Sequence, residues 1–256
     1  MILHSKILGE GPPLIILHGL FGSLDNWFSI ANYLAKKFEV HILDQRNHGK
    51  SFKKSVHNYS AMSLDVFNYI NYYQLSKPNI LGHSMGGKTA MYFTLEYPSM
   101  VNKLIVVDIA PKKYFNTHGD LASILYEINQ STIRRRKEVE IILTQKGFDY
   151  NTIQFLLKSL FWINEKELKF RFNIDSLNLH MDQLMNFDIK HKCWSGLSYF
   201  IKGQNSNYIL DSDSSIIKSF FSNFELINIP NCGHWVHFDQ KNIFLTTINN
   251  ILNEQL

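Results

Sequence analysis

The residues best suited to chemistry in this 256-residue chain are Gly82-His83-Ser84-Met85-Gly86-Gly87. They lie between a strand-forming run, Asn79–Leu81, and a helical pattern, Met85–Tyr97. A serine with glycine two residues before and after it, in a strand–turn–helix setting, has the form of a nucleophile elbow. Such a turn strains the serine backbone and lifts the hydroxyl off the sheet, and side chains at 82 and 86 would collide. The following helix aims free N–H groups and its positive dipole end at Ser84, which suits a developing oxyanion. An ordinary glycine turn shares the five residues but not that setting.

A serine hydroxyl is a weak nucleophile until a base takes its proton. His234, in Asn231-Cys-Gly-His-Trp235 after the last strand pattern, is the expected base. His237, about one helical turn later, is its rival and is expected to pack. The orienting acid has two candidates. The slot about three residues beyond a glycine after the next-to-last strand falls on Ser206, counted from Gly203, and holds no carboxylate. Asp211 comes later and, with Asp213, reads as a polar turn. Asp108 ends the apolar run Leu104-Ile-Val-Val, where a carboxylate must be paired, and an imidazole held in one tautomer would serve. Chain order Ser, Asp, His fits either acid. The oxyanion donors are expected to be the backbone N–H groups of Met85 and Leu20, the latter in His18-Gly-Leu-Phe-Gly-Ser23. Phe21 is expected to wall the pocket and His18 to buttress the loop.

These residues stand at the ends of short apolar runs: Leu14–Leu17, Phe38–Leu43, Asn79–Leu81, Lys103–Val107, Leu197–Ile201 and Phe224–Ile229. Helical patterns alternate with them at Trp27–Lys37, Ser60–Gln74, Met85–Tyr97, Ser214–Phe221 and Gln240–Leu252. The alternation predicts an α/β fold with a mostly parallel central sheet and helices on both faces, with ligands bound beyond the strand ends. Residues 112–192 break it with mostly helical patterns: Asp120–Gln130, a run capped by Ser131-Thr132, and a helix from near Asn151 through Leu160. About eighty residues are too many for a loop. The expected organisation is therefore a core of 1–111 and 193–256 with an inserted helical cap at 112–192.

Composition excludes several classes. Hydrophobic residues at 45% and charged residues at 19% belong to a folded globular chain rather than a disordered one. The net charge of +4 does not indicate nucleic acid, because only 5 of the 26 basic residues are arginine. Asn (24), Ile (28), Lys (21) and Phe (19) are all favoured by A/T-rich codons, which suggests genome bias. No apolar run reaches the length of a membrane span, and MILHSKILGEGPP lacks the pattern of a secretory signal. Cys193 and Cys232 are too few for a disulfide scaffold, and HWVH at 234–237 has no third ligand nearby, so reduced thiols, a cytoplasmic location and no metal are expected.

Taken together, HGLFGSLDNW (18–27), DQRNHGKS (44–51), GHSMGGK (82–88), VDIAP (107–111), QFLLKS (154–159), FRFN (170–173) and NCGHWVHF (231–238) resemble the α/β-hydrolase superfamily. Within it, the resemblance is to YbfF-type esterases and their animal relatives of the ABHD11 type, over nearly the whole chain. It implies hydrolysis of acyl esters or thioesters through an acyl-enzyme, without metal or organic cofactor. It also implies an acid at the DIAP strand end, and thus Asp108. Lys158 and Arg171 fall in its motifs and are expected at the pocket or cap hinge. Arg134-Arg-Arg-Lys137 would meet the phosphates of an acyl-CoA or an acyl carrier protein, or form a solvated helix face. A carbon–carbon bond hydrolase or lyase on the same fold, or a non-catalytic ligand-binding module, are the alternatives.

Overall fold

The computed structural model describes residues 1–115, 119–189 and 192–254; parts of the expected cap at 116–118 and 190–191 lie outside the described residues. Among the described residues nine strands form: β1 (Ser5–Leu8), β2 (Pro13–Leu17), β3 (Glu39–Leu43), β4 (Asn79–His83), β5 (Leu104–Val107), β6 (Leu160–Asn164), β7 (Glu167–Phe170), β8 (Ser198–Gly203) and β9 (Phe224–Ile229). Seven of them make one sheet in the order β1-β3-β2-β4-β5-β8-β9, parallel except for β1. The six expected strands are the six parallel ones. The edge strand β1 went unpredicted, since its residues are partly exposed and carry no apolar run.

Successive side chains of a strand point to opposite faces, and both faces here are covered. Ile15, Leu17, Ile80 and Val106 pack with Ile70 and Phe93 from helices Tyr59–Tyr72 and Met85–Glu96. Leu14, Ile16, Leu81 and Val107 pack with Ile30, Phe244 and Ile248 from helices Phe28–Leu34 and Lys241–Asn253. Among the described residues, no helix is long and apolar enough to cross a membrane.

The insertion between β5 and β8 has an apolar cluster of its own, including Leu125, Leu143, Leu156, Leu168 and Leu177. Leu20, Phe21, Met62 and Met85 from the sheet's loops and helices join that cluster and fasten the insertion over the strand ends. Two local expectations need correction. The helix expected through Leu160 ends at Lys158, and the chain then forms the antiparallel hairpin β6–β7. The β-branched and aromatic residues of Leu-Phe-Trp-Ile favour the pleated strand. Ser131 does not cap the next helix: its hydroxyl donates to Ile128 O, and that helix starts at Arg136.

The loop after β3 is built around two buried charges. The Asp44 carboxylate accepts from Leu24 N (2.8 Å) and Lys50 N (2.9 Å), tying the first loop to the second. Arg46 forks onto Asp65 at 2.5 and 2.8 Å and also donates to the carbonyls of Val56 and Ala61. Removing one partner of such a pair strands a buried charge at a cost of about 3–5 kcal/mol, whereas an apolar pair of similar volume is often tolerated. Asp65→Ala is expected to lose that much stability in urea titrations, and the double variant Arg46→Met, Asp65→Leu to recover most of it. Loss of under about 1 kcal/mol in the single variant would contradict a structural role for the pair.

Candidate active site

Ser84 follows β4 directly with φ +53° and ψ −118°, a conformation that costs a non-glycine residue about 1–3 kcal/mol. The neighbouring glycines permit it. A Cβ at Gly82 would fall on the Gly86 carbonyl, and one at Gly86 on the carbonyls of Leu17 and His18. Ser84 N donates to Val107 O (3.0 Å), holding the turn against the end of β5.

Asp108, the next residue along β5, is fully buried and also has positive φ (+51°). Its backbone N–H donates to Ile201 O, and the turn swings the carboxylate toward the loops after β8 and β9. Oδ1 accepts from Gly203 N (3.1 Å), while Oδ2 accepts from His234 Nδ1 (2.8 Å) and from the Ser206 hydroxyl. Asp211 points away, 96% exposed and paired with Lys202. Of the two acids left open by the sequence, Asp108 is the one that meets His234. The slot that lacked a carboxylate supplies a hydroxyl donor to it.

Because His234 Nδ1–H donates to Asp108, the neutral ring keeps Nε2 as an acceptor. Tyr208 stacks on that ring, with centroids 3.8 Å apart. The buried His83 Nε2–H donates to the His234 carbonyl (2.9 Å), fixing the loop. Ser84 and His234 face one cavity of about 360 Å³, with no hydrogen bond between them among the described residues. Such contacts often tighten only when substrate engages. His237 does not face this cavity. It is buried, and its ring stacks on Trp27 at 4.2 Å.

Gly19 brings the first loop against Ser84: a Cβ there would sit 3.4 Å from Ser84 Cβ. Leu20 and Met85 thus flank Ser84, Leu20 in that loop and Met85 as the first residue of the helix. The loop is held by two histidines in acceptor roles: His18, expected to buttress it, and His48, which the sequence does not single out. His48 Nε2 accepts from Phe21 N (3.2 Å), and His18 Nε2 accepts from Gln45 N (3.0 Å). Burial pushes both rings below the usual histidine range, so they stay neutral and able to accept. Only the DQRNHGKS spacing hinted at this, since His48 reaches Phe21 across 27 residues.

The cavity is walled by Phe21, Tyr208 and Trp235 and by Leu121, Phe155 and Leu156 of the insertion. Lys158 and Arg171, expected at the pocket or the cap hinge, do not line it. Their cations lie over the rings of Phe238 (5.7 Å) and Phe161 (5.2 Å) instead, since a long cationic side chain can rest on an aromatic face at the surface. Among the described residues no set of three His, Cys, Asp or Glu side chains is arranged to hold a metal.

The family model described as the alpha/beta hydrolase fold matches residues 12–139, half of the chain. Esterase YbfF of Escherichia coli (strain K12) is 32% identical over 243 residues, covering 94% of this chain and 93% of that protein. The chain belongs to the α/β-hydrolase family. This α/β-hydrolase is also 36% identical to the sn-1-specific diacylglycerol lipase ABHD11 of Xenopus tropicalis, over 94% of its own length and 78% of the relative's. A solved structure titled marine microorganism esterase superimposes with a TM-score of 0.93 at 40% identity, covering 97% of this chain and 98% of that one.

Burial holds His237 near pKa 3, with the His234 charge adding to the effect, and burial likewise holds His57 near 3. In the unfolded chain both rings take protons near 6.5. The unfolded state therefore binds more protons between about pH 6.5 and 3, and stability falls as pH falls through that window. Each ring contributes about 1.4 kcal/mol per pH unit. His237→Phe is expected to flatten the pH dependence of unfolding free energy by that amount between pH 6 and 4. An unchanged slope would place the His237 proton elsewhere.

Proposed function

We propose that this α/β-hydrolase is a serine hydrolase that cleaves carboxylic esters, and thioesters by the same chemistry, through an acyl-enzyme on Ser84. Hydrolase activity of the esterase or lipase type is supported by the relatives above. The observation that carries the proposal is the 2.8 Å bond from His234 to the buried Asp108 carboxylate, beside a strained serine in the same cavity.

In this proposal His234 Nε2 takes the Ser84 proton as Oγ attacks the substrate carbonyl, and Asp108 stabilises the imidazolium that forms. The oxyanion is held by the N–H groups of Leu20 and Met85. His234 gives its proton to the departing alcohol or thiol, leaving an acyl ester on Ser84. Water, deprotonated by His234, then hydrolyses that ester and regenerates the hydroxyl. No step requires a metal or organic cofactor. Residues 1–111 and 193–256 serve as the catalytic core and 112–192 as a cap that excludes water and shapes the pocket.

Small-molecule acyl esters are the proposed substrates. An acyl-CoA or acyl carrier protein would have to meet Arg134 and Arg135 at an open groove on the cap, since Arg136 donates to Leu160 O and Lys137 pairs with Glu140. A cytoplasmic location belongs to the same proposal, supported by both cysteines being free thiols.

A fluorophosphonate probe is expected to label the native protein and not Ser84→Ala, which should lose about 10⁴–10⁶ in kcat on aryl esters. Asp108→Asn should lose up to about 10⁴ by favouring the wrong tautomer, with Asp211→Asn within a few-fold of native. Absence of labelling in the native protein, or a crippled Asp211→Asn beside an active Asp108→Asn, would overturn the assignment.

A further inference from the structure

Ser84 stands between two cavities of very different size. The larger, about 360 Å³, contains His234 and Trp235 and opens along the cap helix Tyr150–Lys158. The smaller, about 20 Å³, lies past Leu20 and Met85 and does not include His234. Tetrahedral chemistry on Ser84, as proposed above, assigns them. The leaving atom must lie where His234 can protonate it, so the leaving group occupies the large cavity. The oxyanion points at the N–H groups of Leu20 and Met85. The acyl carbon takes the remaining direction, into the small cavity. A space of about 10–15 Å³ holds one water, so about 20 Å³ accepts a methyl and little more.

The far wall of the small cavity is fastened rather than loosely packed. Lys88, one turn along the helix from Ser84, is buried and donates to the carbonyls of Met185 (2.9 Å) and Asn186 (3.0 Å), with a longer contact to Leu184 O. The Tyr59 hydroxyl also donates to Leu184 O (2.7 Å), and Tyr114 N donates to Met185 O (2.9 Å). The cap's return segment is thereby tied to the nucleophile helix at three successive carbonyls. A buried ammonium is costly unless its donors are satisfied, so releasing this segment would strand the charge. Burial pushes Lys88 down to about 7, with the Lys112 charge adding to it. Two rings flank the ammonium, Tyr114 at 4.8 Å and Tyr59 at 5.7 Å.

We propose that the substrates are esters or thioesters of two- to three-carbon acyl groups carried on a larger apolar leaving group. In this scheme Lys88 is a positioning residue that sets the depth of the acyl pocket. The inference depends on the hydrolase proposal, and the test separates the two.

The experiment measures kcat/KM for 4-nitrophenyl acetate, propionate, butyrate, hexanoate and octanoate, alongside fluorophosphonate labelling. The native protein is expected to lose at least about tenfold from acetate to hexanoate, the discrimination a small apolar pocket provides. Met185→Ala, which deepens the pocket and keeps the backbone carbonyl bound by Lys88, should raise the hexanoate-to-acetate ratio about tenfold. Lys88→Met should move the ratio the same way, and Lys88→Arg less. Should Lys88→Met fail to fold, Met185→Ala carries the test. Labelling with equal or better turnover of hexanoate by the native protein, or an unchanged ratio in Met185→Ala, would overturn the acyl-pocket assignment alone. Neither labelling nor turnover would overturn the hydrolase proposal beneath it.

Discussion

A carboxylate with no solvent exposure at the end of an apolar strand must have its lone pairs met by donors. Asp108 is in that position, and the arrangement around it follows from satisfying it. Its donors come from three places distant in sequence: Gly203 at the end of β8, Ser206 just beyond, and His234 after β9. The strand order β5-β8-β9 makes those places adjacent, and the parallel register sets Val107 beside Ile201 so that Asp108 emerges one residue short of Gly203. Positive φ at Asp108 completes the aim. The same bonds that make the buried charge tolerable also leave His234 oriented with Nε2 free to accept.

A second constraint acts through neutral histidines. His18, His48 and His83 are buried, and burial lowers the affinity of each for a second proton. A neutral ring can accept on one nitrogen and donate on the other, which a lysine or a carboxylate cannot do. His48 uses this to accept from Phe21 N while donating to Arg46 O, joining two loops that flank the cavity. His83 links β4 to the loop after β9 through its bond to the His234 carbonyl. Rigid loops around a strained serine are what preorganised electrostatic catalysis requires.

Much of this was legible in the amino-acid order because it depends on local rules. Short apolar runs mark the six parallel strands, and GHSMG marks the strained serine and the glycines beside it. Asp108 could be argued from burial, since its neighbours Leu104–Val107 left it nowhere polar to go. What escaped depends on contacts between distant residues. Ser206 read only as a missing acid, and its hydroxyl donation to Asp108 spans 98 residues. Lys158 and Arg171 were placed by motif, but motif membership says nothing about which face of an element a side chain takes, and both turn to aromatic surfaces. The hairpin at 160–170 begins at Leu160, where the expected helix ends, inside a stretch whose pattern is mostly helical. The edge strand β1 had no buried face to announce it.

The size difference between the two cavities follows from where the insertion is fastened, with Lys88 and Tyr59 binding it beside the smaller one and helix Tyr150–Lys158 lining the larger. All of it presupposes that acyl transfer passes through Ser84 under the control of Asp108. Peptide mapping of protein quenched during turnover of an aryl acetate tests that most directly. The account predicts an acetyl group on Ser84, accumulating far more slowly in Asp108→Asn. Turnover without acyl mass on Ser84, or acylation of Asp108→Asn at the native rate, would contradict it.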